Sequence, residues 1–260
     1  MAVGGTGLRS LYRKLRRAVA PPAPPPTAAG PDPWDMKGVN IDFVRTLMSE
    51  MPHDQAMEVA IGGGFELYGG IQMATLRHYG LPQDGYLIDV GCGSGRLARP
   101  LSKWLTGRYL GIDLVPELLA HARKLADRPD WRFELIDDIG IPEADGQADM
   151  VCFFSVLTHL LHEQSYLYLE EARRVLKPGG AIVFSFLEFA EPGHMPVFRA
   201  TVKEARLRSR HPLNVFVDRA AIAAWAGELD MIVEEIRAGG DLIVPEGAQG
   251  QATCVLRKPA

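Results

Sequence analysis

The stretch Tyr86–Leu97, YLIDVGCGSGRL, places a carboxylate and three alternating glycines within a few residues of one another. Gly91, Gly93 and Gly95 carry no Cβ, so backbone there can come within van der Waals reach of a ligand. Asp89 stands two residues before the first glycine, where its charge would repel a pyrophosphate and hold a cationic amino group. Asp113 lies about 20 residues past the glycines, the distance at which ribose hydroxyls arrive in dinucleotide-type turns. An ionised carboxylate can accept from both hydroxyls of a ribose.

These groups need a frame, and the pattern supplies one. Tyr86–Val90 is a short apolar run with one acid near its end, which suits a buried parallel strand. Helical spacing resumes over Arg96–Leu105. Tyr109–Asp113 reads as the second strand, and Pro116–Ala126 as a helix with proline at its first position. Trp131–Ile136 alternates as a strand should and runs into Asp137-Asp138. Ala148–Phe154 is the fourth strand, Ser165–Leu176 a helix, Lys177-Pro178-Gly179-Gly180 its terminator and Ala181–Leu187 the fifth strand. Ala220–Leu229 reads as an apolar helix, and Met231–Ile236 with Ala252–Arg257 as a final hairpin-like pair. Ahead of the first strand, helices are expected over Val39–Met51 and Phe65–Tyr79, separated by Gly62-Gly63-Gly64. Glu188–Asn214 is the least regular part. Within it Val197–Arg210 is expected to be helical, with Phe198, Val202 and Ala205 inward and Lys203, Arg206, Arg208 and Arg210 outward.

The acid-x-Gly-x-Gly-x-Gly turn from Asp89 resembles motif I of the class I S-adenosylmethionine (SAM)-dependent methyltransferases. Later landmarks of that family recur in order over about Gly62–Arg257, the Leu176–Gly180 turn among the more specific. The resemblance implies a Rossmann-like, doubly wound α/β fold. Its seven-stranded, mostly parallel sheet would run 3-2-1-4-5-7-6 with the last strand antiparallel. It also implies SAM as cofactor, with Asp89, Gly91, Cys92, Gly93 and Gly95 around the methionine part and Asp113 and Leu114 at ribose and adenine. Asp137 would accept the adenine amino hydrogen and the Asp138 backbone would meet a ring nitrogen; the sequence allows the two to be swapped. Ser155 would bring its backbone close to the methionine part. Thr158 and His159 fall in the loop-to-helix region that faces the methyl group, where His159 is either a catalytic base or a helix-start histidine bonded to backbone. His194 is a weaker base candidate. Tyr68 is a candidate for pocket lining, against a plain packing role. Residues 39–82 would form a helical cover and residues 188–214 a variable insert over the substrate, within one methyltransferase domain spanning 39–260.

Length and composition fit that frame. A chain of 260 residues accommodates one sizeable α/β domain and a tail. The formal net charge of −4 gives no electrostatic case for nucleic acid as a partner. Cys92, Cys152 and Cys254 are odd in number and lack a paired metal spacing, which points to buried free thiols in a reducing, cytoplasmic setting with no bound metal. Residues 1–38 differ in character. Leu8, Leu11, Leu15 and Val19 fall at helical spacing among Arg9, Arg13, Lys14, Arg16 and Arg17, so residues 8–19 could lie on anionic lipid as a peripheral membrane contact. Pro21–Pro26 then form an extended linker. A solvated tail and an organelle-targeting peptide are the alternatives.

Several acceptors argue themselves out. Amino-methyltransferases of adenine or cytosine share an Asn/Asp-Pro-Pro-aromatic stretch after the fourth strand, where this chain reads Phe154-Ser155-Val156-Leu157. Cytosine C5 chemistry would need a nucleophilic cysteine beside a proline, and Cys152 falls inside a strand. An O or N atom of a small-molecule, sugar or lipid-linked acceptor is left. The competing functions are a catalytically inactive SAM-binding scaffold and an NAD-dependent oxidoreductase, against which Asp89 and the Lys177–Gly180 turn both speak.

Overall fold

Tyr86–Val90 forms β1, buried at every position, and the rest of the sheet is built outward from it. The computed structural model describes residues 36–207 and 212–260. The basic segment 8–19, and Arg208 and Arg210, lie outside the described residues. The other strands are β2 (Arg108–Asp113), β3 (Arg132–Leu135), β4 (Ala148–Phe153), β5 (Leu176–Phe186), β6 (Ile232–Arg237) and β7 (Ala252–Arg257). They form one seven-stranded sheet in the order β3-β2-β1-β4-β5-β7-β6. β1 to β5 run parallel, and β7 is antiparallel to both β5 and β6. The order expected from the family resemblance is the order found.

Alternation along β1 splits its side chains between two apolar layers. Ile88 and Val90 join Leu110, Val151, Phe153 and Phe184 on the face covered by Leu169 and Ala172 of α6 (His162–Val175) and by Ile222 of α8 (Arg219–Glu228). Leu87 joins Tyr109, Met150, Cys152 and Val183 on the other, under Leu76 of α3 (Phe65–His78), Leu101 of α4 (Ala98–Leu101) and Leu119 of α5 (Pro116–Ala126). Strand order reverses between β1 and β4, so the carboxyl ends of β1, β2 and β4 meet at a topological switch point, the place where open α/β sheets bind ligands.

Four elements differ from the sequence-based expectation. The helix after the glycine turn is one turn long, because Pro100 lacks an N–H and the chain tightens to i→i−3 bonds at Lys103 and Trp104. The Lys177–Gly180 stretch belongs to β5 itself: Gly179 N donates to Lys258 O at 3.1 Å and Lys258 N to Gly180 O at 2.9 Å, which seals it to the end of β7. Before Gly62, the chain forms two helices, α1 (Met36–Glu50) and α2 (His53–Ala60), the second unexpected from its short apolar pattern and held by buried Ala56 and Met57. α7 (Met195–Leu207) lies on the surface with no buried residue, and Ala205, expected inward, is exposed.

Candidate functional site

The glycine turn is tied to the end of β2. Gly91 N and Cys92 N both donate to Ile112 O, at 2.8 and 3.0 Å, and Gly93 N donates to Asp113 Oδ2 at 2.9 Å. Gly91 and Gly93 take φ of +69° and +54°, which disfavours any side chain. A Cβ at Gly91 would stand 2.4 Å from Val156 Cγ2, and one at Gly93 2.8 Å from Ile61 Cγ2. The turn is therefore packed at van der Waals limit between the β4 end and the loop before α3.

Two buried carboxylates flank it. Asp89 is 2% exposed, and its oxygens accept from Tyr109 Oη at 2.7 Å and from Cys152 Sγ at 3.4 Å. Burial pushes its carboxyl up to about 6; the negative charge of Asp113 adds to this, while the Tyr109 and Cys152 donors and the Arg96 guanidinium oppose it. The sequence pattern suggested a direct grip on a cation. Tyr109 and Cys152 each occupy one site on its oxygens, and Asp89 lies buried near the end of β1. Asp113 is 8% exposed, with Oδ1 accepting Val115 N at 2.9 Å and Oδ2 accepting Gly93 N. Burial raises its pKa against those backbone donors. Each Asp113 oxygen keeps a second lone pair.

Arg96, which the sequence reading passed over, is the nearby cation. Its Nη1 donates to Ile61 O at 3.0 Å and to Gly63 O at 3.4 Å, and its guanidinium lies 5.7 Å over the Tyr68 ring. Tyr68 thus packs on Arg96. Its position directly after the last glycine was the available signal. Ser94 Oγ donates to Met57 O at 2.9 Å, so the turn also holds α2. Leu114 packs with Val44, Leu47 and Met57 of the cover, Arg45 Nε meets Glu117 Oε1 at 2.8 Å, and exposed Asp137 pairs with Lys37 of α1. Asp138 is exposed beside it.

On the β4 side, Ser155 adopts φ +61°, a strained value for a residue with a side chain. Its N–H donates to Ser185 Oγ at 2.8 Å, and both serine hydroxyls reach Gln251 Oε1, at 3.3 and 2.7 Å. Gln251 comes from the residue before β7 and could be found only from the antiparallel β5–β7 register. Thr158 is buried, and its hydroxyl donates to Ser155 O at 2.9 Å. His159 places Nδ1 2.5 Å from Leu213 O, which fixes the proton on Nδ1 and leaves Nε2 with a lone pair. Burial pulls its pKa below the ordinary histidine value, with the Leu213 carbonyl opposing. His194 is corrected as a base candidate. It is 1% exposed, Glu188 N donates to its Nδ1 at 3.0 Å, and Nε2 meets Gly250 O at 3.2 Å, so neither nitrogen is available.

An aromatic group forms on the segment that pairs with Thr158. Val215 N donates to Thr158 O and Val217 N to Leu187 O, which threads residues 215–217 between the loop after β4 and the end of β5. Phe216 from this segment stacks on Phe189 at 4.5 Å, and Phe198 of α7 stands edge-on to both. Phe189 is 51% exposed.

Comparison with known proteins agrees with this geometry. Residues 88–184 match the methyltransferase-domain family model. A malonyl-[acyl-carrier protein] O-methyltransferase of Hahella chejuensis is 30% identical over 135 residues, 49% of this chain and 47% of that protein. A ubiquinone biosynthesis O-methyltransferase of Cereibacter sphaeroides is 33% identical over 112 residues, 41% of this chain and 43% of that protein. The chain thus spans less than half the length of these two relatives. Among solved structures, the magnesium protoporphyrin IX methyltransferase of Synechocystis with bound S-adenosylhomocysteine (SAH) shares the fold, with a TM-score of 0.59 at 14% identity over 86% of this chain and all of that one. From Ile88 in β1 to Phe184 in β5, the chain is thus similar to the methyltransferase domain, and its fold is shared with a solved SAM-dependent methyltransferase.

Proposed function

We propose that this protein transfers the methyl group of SAM to an oxygen atom of an acceptor with an apolar body, either a small molecule or a lipid-linked group. The observation that carries the proposal is the glycine turn held between buried Asp89 and Asp113, a cradle whose field favours a cationic ligand over a diphosphate. Both curated relatives are O-methyltransferases by name, which favours oxygen over nitrogen.

SAM supplies a methyl already activated on a sulfonium, so the protein's task is alignment and exclusion of water. Orientation of this kind can contribute about 7–11 kcal/mol to lowering a barrier. Asp113 would accept the ribose hydroxyls with its spare lone pairs, and the Gly91–Gly95 backbone would lie along the methionine part. Asp89 would balance the ammonium through the turn. Leu114 and the Asp137–Asp138 corner would flank the adenine under the cover helices. On the acceptor side, His159 Nε2 is poised to receive the proton of a hydroxyl, and Phe189, Phe198 and Phe216 would meet the apolar body. Among the described residues no helix is long and apolar enough to cross a membrane. A lipid-linked acceptor would therefore be met at a surface.

The field of Asp89 makes a pH prediction. Its folded pKa lies above its unfolded value, so its ionisation weakens the ligand-free fold as pH rises through about 6. A bound cation reverses that preference. The stabilisation of the protein by SAH in a thermal melt should therefore be larger at pH 7.5 than at pH 5. An equal shift at both values would remove Asp89 from the electrostatics of the site.

The acceptor is tested with tritiated-methyl SAM and three acceptor classes: alkylated phenols, acyl thioesters with a free carboxylate, and simple sugars. Label is expected in the first or second class and absent from the third. Label in sugars alone, or in none of several broad metabolite fractions, would refute the proposal.

A further inference from the structure

Where α2 meets α5, three side chains with metal-binding atoms converge. His53 and Asp54 are the first two residues of α2, and His121 lies in the middle of α5. One ligand atom from each lies within 4.8 Å of the others. Asp54 Oδ1 is 3.3 Å from His53 Nδ1 and 4.0 Å from His121 Nδ1, and the two imidazole rings stand 5.3 Å apart. His121 is only 7% exposed, yet its Nδ1 is buried without a hydrogen-bond partner. A buried polar nitrogen left in that state is costly, and it faces the other two donors.

We propose that His53, Asp54 and His121 bind a zinc ion that clasps the cover helix α2 to α5. Two imidazoles and a carboxylate are a donor set that zinc accepts, with water completing the tetrahedron. Bond lengths of about 2.0–2.2 Å set tetrahedral ligand atoms roughly 3.3 Å apart. The His53–Asp54 pair already has that spacing, and the Asp54–His121 gap closes by a small rotation of Asp54, whose side chain is 84% exposed. His121 is the fixed, pre-placed ligand and the two α2 residues are the adjustable ones. Glu58, Glu66, Arg99 and Lys124 line the same hollow, so the surroundings carry two charges of each sign. The ion would act on the fold. α2 supplies the carbonyl that Ser94 bonds, and α5 packs directly behind Gly95, so a clasp between them would steady the cover over the glycine turn.

The test is zinc titration of the full chain, free of other metals, at pH 7.5, read by calorimetry and by thermal melts. One equivalent should bind in the micromolar range or tighter and raise Tm by about 5 °C at saturation. His53→Ala and Asp54→Asn change exposed side chains, so both should fold normally and lose most of the zinc-dependent rise. His78→Gln, an exposed histidine on α3, should keep it. A zinc response of the same size in His53→Ala and Asp54→Asn, or no stoichiometric binding below 100 µM (a limit on the order of weak surface sites), would overturn the proposal.

Discussion

Asp113→Ala should lower the affinity for SAH by more than tenfold, measured by calorimetry at neutral pH. The carboxylate is held from both sides, by Gly93 N on one oxygen and Val115 N on the other, so it is oriented before any ligand arrives. Hydrogen bonds to a charged group are each worth about 1.5–3 kcal/mol, and losing even one such bond corresponds to a factor of ten or more. The substitution also strips two backbone donors of their partner, so a lower Tm should accompany the weaker binding. Asp113→Asn separates the two effects. Its amide oxygen can still accept one backbone N–H, so it should recover part of the Tm while binding SAH less tightly than the parent. Unchanged affinity in Asp113→Ala would show that the ribose is not at the end of β2.

His159→Ala should reduce kcat by about a hundredfold or more while leaving SAH affinity intact, within the range found for loss of a general base. The bond from Nδ1–H to Leu213 O sets the tautomer, and burial keeps the ring neutral near pH 7, so the Nε2 lone pair is present when an acceptor hydroxyl binds. Because that pKa lies below the ordinary histidine value, the acid-side fall in rate should come at a lower pH than a free imidazole would impose. His159→Gln should not rescue turnover, since its amide nitrogen can replace the donor to Leu213 but nothing replaces the base. Full turnover in His159→Ala would make His159 a structural residue of the turn after β4.

How far the sequence could be read depended on whether a residue acts within its own element or across elements. The glycine turn and the place of Asp113 at a strand end were legible because each follows from a local strand-turn-helix pattern, and the seven-strand order came with the family resemblance. Arg96 adjoins the glycines, yet its partners Ile61 and Gly63 come from a loop 35 and 33 residues earlier, so its anchoring role was hidden. Gln251 reaches Ser155 across 96 residues, a contact created by the antiparallel return of β7. Asp89 was recognised, but the Tyr109 hydroxyl that occupies it arrives through the β1–β2 register. His194 looked available because sequence spacing carries no information on burial, and its two nitrogens turned out to serve Glu188 and Gly250. The pairing of His53 with His121 was equally invisible, since it depends on how the cover helix lands on α5.

A crystal of the protein grown with SAH answers the main question in one experiment. The ligand should lie across the carboxyl ends of β1, β2 and β4, with its amino-acid end against Gly91–Gly95 and its ribose hydroxyls within hydrogen-bond distance of Asp113. Density for SAH anywhere else, with Val156 and Ile61 still closed over the glycines, would contradict the account.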